Sequence, residues 1–479
     1  MNAKSASGSI VGEWMWGSTI AESGPDGALK ILSRCAEMGI TDVYLLVKGT
    51  GGKLGYRQTK HTDLLLRTER DILREAVNAA HSFGIRLHAW ICSMEDSAYK
   101  NAHPEAGMRH YSRGRDNDRI NLCDPGYRAH MADIAAELAA YEIDGLHFDY
   151  IRYNHLTNGW SRADFDALTA MGADAERIRE LIETTFGYNG RAEDSTFIFN
   201  AYRNGDRDAL LVAEYRRRMV REYASFVISA ARSVRPELMI SAAVMPEGAY
   251  DEAFASLHYG QDYRDAAALY DYICPMAYST GYGKDETWVR TVAENAIRMG
   301  NRVVMGLQAF GGVSSARLMG ETASLRSLAL EKQCSDGMRG VVFFRSSQFD
   351  YARITCREDG LDVKTVSGTG RNFHWVQLDM PVGARITGAS VGEGVRGDTA
   401  VSISPDGASV RFFAEDGITE DGEGMLHLRC EGDFASVGQV PFVRAGGKGE
   451  STVYTVIRYS AVEKIPPYGA ENGEKTNEP

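Results

Sequence analysis

The chain has 479 residues, 53 Lys plus Arg against 65 Asp plus Glu, and a formal net charge of −12. Apolar residues make up 44% and charged residues 25%, ordinary for a globular protein, which excludes a disordered or fibrous chain. The acidic balance argues against a nucleic-acid partner, and no window of about 18 uncharged apolar residues is present to span a membrane.

Met1 to Ser9 is small and polar and has no apolar stretch of the kind a signal peptide carries, so none is expected and the compartment is left unassigned. Eight short β-branched and aromatic runs follow: Ile10–Trp16, Asp42–Lys48, Arg86–Cys92, Ile143–Tyr150, Leu238–Val244, Tyr272–Tyr278, Arg302–Gln308 and Gly340–Ser346. Most are continuously apolar, the mark of parallel strands covered on both faces. Helical patterns lie between them and stop at glycine: Ala28–Met38 at Gly39, Glu69–Phe83 at Gly84, Ile297–Met299 at Gly300. Helix, glycine, short connection and strand, repeated eight times, predict an α/β chain with a (β/α)8 barrel over residues 8–356.

The connections after the third and fourth runs are long, about 30 and about 50 residues, and the second holds a helical insert near Arg162–Thr184. They leave the strand C-termini, where this fold builds its cleft. Beyond about Asp362 the helical period stops. Runs at Phe373–Leu378, Val401–Ile403, Val410–Phe413, Met425–Arg429 and Thr452–Arg458 predict a β-sandwich over residues 362–464, with a polar, frayed tail at 465–479. Seven cysteines form no CxxC pair and read as buried free thiols.

The most informative segment is Ile143-Asp144-Gly145-Leu146-His147-Phe148-Asp149-Tyr150-Ile151-Arg152-Tyr153. Alternation puts His147 and Asp149 on one face, with Asp149 at the strand end and aimed at the barrel mouth. A carboxylate there can attack an anomeric carbon or balance an oxocarbenium charge. It can equally cap the loop or pair with Arg152.

This block, with Leu87–Trp90 (LHAW) and Asn121–Arg128 (NLCDPGYR), resembles the family-10-like glycoside hydrolases, which are (β/α)8 enzymes. Met94–Glu105 and the FDYIRY run resemble a sister group with an FDYVRFP motif. Tyr215–Val220, Ile240–Gly248, Tyr272–Tyr278 and Gly340–Ser347 are similar to later family blocks. The resemblance covers roughly residues 10–350 and implies a hydrolase acting on a poly- or oligosaccharide. Two positions depart from the pattern: the second acid is Tyr150, and the Asn after the paired arginines is Met219. Set against the chitinase pattern DGxDxDxE, the acid's position is Ile151, which carries no transferable proton.

Glycoside hydrolysis ordinarily needs a second carboxyl group. Glu247, after the fifth strand, is the first candidate for general acid/base; Glu95 and Asp96, after the third, are alternatives, or else cap the segment that follows. Glu13 lies within the first strand, where a charge is unusual; pairing with Lys48 or Arg345, or substrate binding, would explain it. Trp16, Trp90, Tyr153 and Tyr278 cluster at strand ends with Trp14 and Phe344. Of these Trp16, Trp90 and Tyr278 are expected to stack on sugar rings, whereas Trp14 and Phe344 fit ordinary barrel packing. Lys48, His88, Arg152, Gln308 and Arg345 are expected to bring polar groups to the same rim, with His88 and His147 equally readable as core histidines. Asp116, Asp118 and Asp124 form a loose acidic cluster better read as a solvated loop than as a calcium site. No ligand spacing demands a metal, and no Walker loop or GxGxxG after a strand implies an organic cofactor, so none is expected. The expected partner is a carbohydrate substrate. A carbohydrate-binding protein without activity and a metal-dependent hydrolase of another substrate are the open alternatives, because a barrel alone does not decide chemistry.

Overall fold

The computed structural model describes residues 9–37, 39–112, 114–187, 194–309, 313, 315–344, 350–357, 359–367, 374–380, 383–392, 395, 397–417, 423–432, 442–446 and 455–459. Eight parallel strands close into a barrel: Ile10–Trp16, Asp42–Lys48, Arg86–Cys92, Gly145–Asp149, Met239–Val244, Tyr272–Pro275, Val303–Gln308 and Met338–Phe344. Each pairs with the next in chain order and the eighth returns to the first, through Ile10 opposite Gly340. They are counted as barrel strands one to eight below.

Helices cover the outside, and their caps are written in the sequence. Ile72–Ser82 begins at Asp71, whose side chain accepts from Arg74 N at 3.1 Å, and turns out through Gly84 at φ +70. It buries Ile72, Leu73, Ala76, Val77, Ala79 and Ala80. Pro125–Ala139 begins at Asp124, which accepts from Tyr127 N at 2.7 Å. The 28-residue helix Arg207–Val234 begins at Asp206. Asp124 is therefore a helix cap, while the side chains of Asp116 and Asp118 lie outside the described residues.

Alternate residues point into the barrel and stack in layers. At the floor Asp42 is gripped by Arg86 (2.7 and 2.8 Å) and by His88 Nε2 at 2.9 Å. Burial opposes ionisation there, but the His88 and Arg86 hydrogen bonds prevail and hold the Asp42 carboxyl down to about 2. Above it, Tyr44 stacks on His88 with centroids 4.6 Å apart and shares a 2.8 Å hydrogen bond with Tyr272 across the barrel. Trp14 Nε1 donates to His147 Nε2 at 2.9 Å, which leaves the proton of a neutral imidazole on Nδ1, facing Ser241 Oγ at 2.8 Å. Burial pushes His147 well below its ordinary value, consistent with that neutral ring. Large rings need gaps opposite them. A Cβ on Gly306 would sit 2.8 Å from the Trp14 ring, and one on Gly145 would sit 2.2 Å from His88 Nδ1.

The chain divides into two compact units at Phe344/Arg345, with Ala309–Gly320 grouped with the second. In the second unit, one five-stranded sheet runs in the order Ala384–Val391, Glu423–Gly432, Gly360–Ser367, Asp350–Arg357, Thr455–Tyr459. A four-stranded sheet runs Thr399–Ile403, Ser409–Ala414, Trp375–Asp379, Phe442–Gly446. Leu361, Val363, Ile386, Leu426 and Leu428 from the first meet Val376, Leu378, Val410 and Phe412 from the second, the layered core of a β-sandwich. The strand Asp350–Arg357 lies inside the expected barrel range but pairs with Gly360–Ser367, so the barrel's own strands end at Phe344. No described helix is long and apolar enough to cross a membrane.

Candidate active site

Asp149 is the last residue of barrel strand four and is 7% exposed. Its Oδ2 accepts from Trp90 Nε1 at 3.2 Å and its Oδ1 from the next backbone amide, Tyr150 N, at 2.7 Å. Burial raises the carboxyl above its ordinary value and the Glu95 charge adds to the rise; Arg152, the Tyr150 amide and Trp90 oppose it. The chain turns at once: Tyr150 stands at φ +51, the only non-glycine with positive φ among the described residues. Two hydrogen bonds hold that turn, Ser93 N to Asp149 O at 2.8 Å and Met94 N to Tyr150 O at 3.1 Å. A bulky residue is strained in this region, and such strain gathers at functional sites.

Glu247 lies in the short 3-10 turn Pro246–Ala249 that follows barrel strand five. Tyr282 OH donates to its Oε1 at 3.2 Å, while Oε2 is buried without a hydrogen-bond partner among the described residues. Burial raises this carboxyl too, opposed by its own backbone amide, Tyr282 and Arg152. Gln261 ties the two strand ends together: its Oε1 accepts from Met245 N at 3.0 Å and its Nε2 donates to Ile151 O at 3.3 Å. Arg152, packed over the rings of Tyr150 (5.2 Å) and Tyr259 (5.7 Å), is the cation that both carboxyls feel.

The remaining expected residues divide between mouth and interior. Tyr278 stacks on Phe344 with centroids 6.1 Å apart and lies near Asp149, and Trp16 is 42% exposed at the end of barrel strand one. Gln308 ends barrel strand seven, and its Oε1 accepts from Gly281 N at 3.0 Å, fixing the loop after strand six. Glu95 is 17% exposed and ion-paired with Arg119 at 2.9 Å. Lys48, His88 and Tyr153 correct the expectation of a rim position. Lys48 is fully buried, 2.9 Å from Asp96 Oδ2 and 2.8 Å from Cys92 O, because the loop after strand three folds back over it. That pairing also engages Asp96, which accepts from Tyr99 N at 2.8 Å as a helix cap. His88 is at the floor with Asp42, and Tyr153 is buried beneath the Arg216 guanidinium at 3.8 Å. Glu13 does not reach Lys48. It faces outward from the barrel to the helix Gly27–Glu37, where Cys35 Sγ donates to it at 3.4 Å and its Oε1 is buried without a hydrogen-bond partner among the described residues. Arg345 lies outside the described residues.

Sequence reasoning missed three aromatics next to Glu247. Tyr282, from the loop after barrel strand six, lies 5.2 Å from Trp288 between ring centroids, and Tyr250 lies 6.1 Å from Trp288. No sequence signal unites them, since three separate segments contribute. Among the described residues no group of three His, Cys, Asp or Glu side chains is placed to hold a metal ion.

Residues 18–308 match a family described as "Putative glycosyl hydrolase domain" (DUF4015). The chain belongs to that family. No curated protein is significantly similar to it. Among solved structures, the PgaB (BpsB) glycoside hydrolase domain from Bordetella bronchiseptica is similar, with a TM-score of 0.54 at 16% identity over 70% of this chain and 94% of that one. A β-galactosidase from the psychrophilic Marinomonas ef1 gives a TM-score of 0.48 at 12% identity, over 70% of this chain and 54% of that one. The α-L-fucosidase isoenzyme 2 from Paenibacillus thiaminolyticus gives 0.47 at 13%, over 70% and 46%. This chain thus spans about half the length of the latter two. At 16% identity the likeness to the first of these is one of fold.

Proposed function

We propose that the protein hydrolyses O-glycosidic bonds of a poly- or oligosaccharide with Asp149 and Glu247 as its two carboxyl groups. The observation that carries this reading is their placement: they follow adjacent barrel strands, both are raised by burial, and Arg152 acts on both. Asp149, held by Trp90 and the Tyr150 amide, faces the anomeric carbon as nucleophile or as counter-charge to an oxocarbenium ion. The glycosidic C–O electron pair leaves with the departing oxygen, which takes the Glu247 proton. Water then supplies the hydroxyl to the anomeric carbon, the Asp149 carboxylate leaving with its C–O electron pair where it had bonded there, and the water's proton returns to the Glu247 carboxylate. Trp16 and Tyr278 supply stacking faces for the sugar bound at Asp149, and the kinship with family-10-like enzymes rests on the strand-four block. Glu95 is the weaker choice of proton donor, because its carboxyl is already engaged by Arg119 at 2.9 Å.

Hydrolysis of glucan, galactan, chitin-derived and peptidoglycan-derived oligosaccharides by wild type, Asp149→Asn and Glu247→Gln tests this. Turnover by the wild type that both variants lose by several orders of magnitude is expected; near-full activity of Asp149→Asn on a confirmed substrate would overturn the assignment.

A further inference from the structure

The aromatic group beside Glu247 has no role in the chemistry just described. Tyr250 follows the Glu247 turn, with Tyr250 N donating to Glu247 O at 3.0 Å, yet the residue is 47% exposed. Trp288 is held in the first turn of the helix Glu286–Arg298, where Asp285 accepts from Trp288 N at 3.1 Å. Tyr282 touches Trp288 on one side and the Glu247 carboxyl on the other. An exposed large ring on a loop tip costs hydration free energy, and three rings from three segments gathered beside one carboxyl form an apolar patch with a polar edge. The Glu247 carboxyl, which Tyr282 reaches at Oε1, is the polar group this patch borders, and its Oε2 is buried without a hydrogen-bond partner among the described residues.

A proton donor sits where the leaving group's oxygen sits, so what lies next to it contacts the leaving group. Pyranose rings present a face of C–H groups that packs on an aromatic ring while their hydroxyls remain hydrated at the edge. We propose that Tyr250, Tyr282 and Trp288 bind the sugar ring on the leaving-group side of the scissile bond. The substrate is then a saccharide cleaved between two pyranoses, not the glycoside of a small alcohol. This rests on the reading of Glu247 as the proton donor.

The test compares wild type, Trp288→Ala, Tyr250→Ala and Trp288→Phe on glycosyl fluorides, whose leaving group is too small to reach the patch, and on pentasaccharides of the same sugars. The ratio of kcat/KM for pentasaccharide over fluoride is expected to fall at least tenfold in Trp288→Ala, chiefly through KM, and to recover in Trp288→Phe. An unchanged ratio overturns the proposal, whether activity on both substrates is kept or lost together. A second readout is pentasaccharide binding to Asp149→Asn by titration calorimetry, with and without Trp288→Ala. If the wild type cleaves nothing, the hydrolase reading fails and binding decides: a tenfold weakening keeps the patch as a sugar site, and equal or absent binding overturns it.

Discussion

At Glu247 the desolvation that raises the carboxyl has a consequence for the pH profile. A proton donor must carry its proton, so activity is full below its native pKa and is lost as pH rises through it. Since that pKa is raised, the falling limb is expected above the ordinary carboxylate value of about 4.3. In its proposed role Asp149 works ionised, so the rising limb is expected to follow its own raised value. Glu247→Gln, assayed on a glycosyl fluoride whose leaving group needs little protonation, is expected to keep the rising limb and lose the falling one. A falling limb that survives the substitution would move the donor role to Glu95. Tyr150 permits a second test at this scale. Tyr150→Gly removes a strained side chain worth about 1 kcal/mol in the left-handed region, so the melting temperature should hold or rise. The same change takes the ring from under Arg152, and kcat/KM should fall on the order of tenfold as the cation both carboxyls feel loses its seat. Unchanged activity would show that the Tyr150 ring does not seat Arg152, and a fall in stability would show that its packing outweighs the strain.

At the scale of elements, barrel strand two and the loop after strand three are joined by a buried ion pair. Lys48 ends barrel strand two, Asp96 caps the helix Ser97–Ala102, and both side chains are fully buried. Lys48→Met leaves Asp96 charged and uncompensated, which should cost about 3–5 kcal/mol; Lys48→Met with Asp96→Asn should recover much of it. Denaturant unfolding of the two variants measures the difference, and near-equal values would mean the pair contributes little. Asp96 was legible in part, as a cap of the segment after strand three, whereas Lys48 was not legible as structural. Lys48 reads in sequence as a rim residue because its strand ends there, and only the fold-back of the Cys92–Asp96 loop turns it inward. The strands themselves were legible, because a strand covered on both faces must be apolar throughout: the first three run Ile10–Trp16, Asp42–Lys48 and Arg86–Cys92, as the sequence pattern predicts. Asp149 was legible because alternation fixes its face. The Tyr250, Tyr282 and Trp288 group was not, since loop conformation and not periodicity brings those rings together. The strand Asp350–Arg357 escaped detection for a related reason, its charged residues breaking the apolar run that marks a barrel strand.

For the molecule as a whole, stability should depend on pH through a residue remote from the chemistry. Glu13 is fully buried between barrel strand one and the helix Gly27–Glu37, with Cys35 as its hydrogen-bond donor. Burial raises its carboxyl from 4.5 to about 8, against the opposing hydrogen bond from the Cys35 thiol. The native state therefore keeps the proton up to about pH 8, whereas the unfolded chain releases it near 4.5. Over that window the native state binds more protons, so stability falls as pH rises, reaching a loss on the order of 3 kcal/mol by pH 7. Glu13→Gln keeps the shape and removes the titration. The variant should be more stable than wild type at pH 7 to 8, with the gap closing toward pH 4.5. Urea unfolding at several pH values across that range reads this directly. A constant difference between the two proteins at every pH would mean that Glu13 is ionised in the native state, held by a cation rather than by its proton.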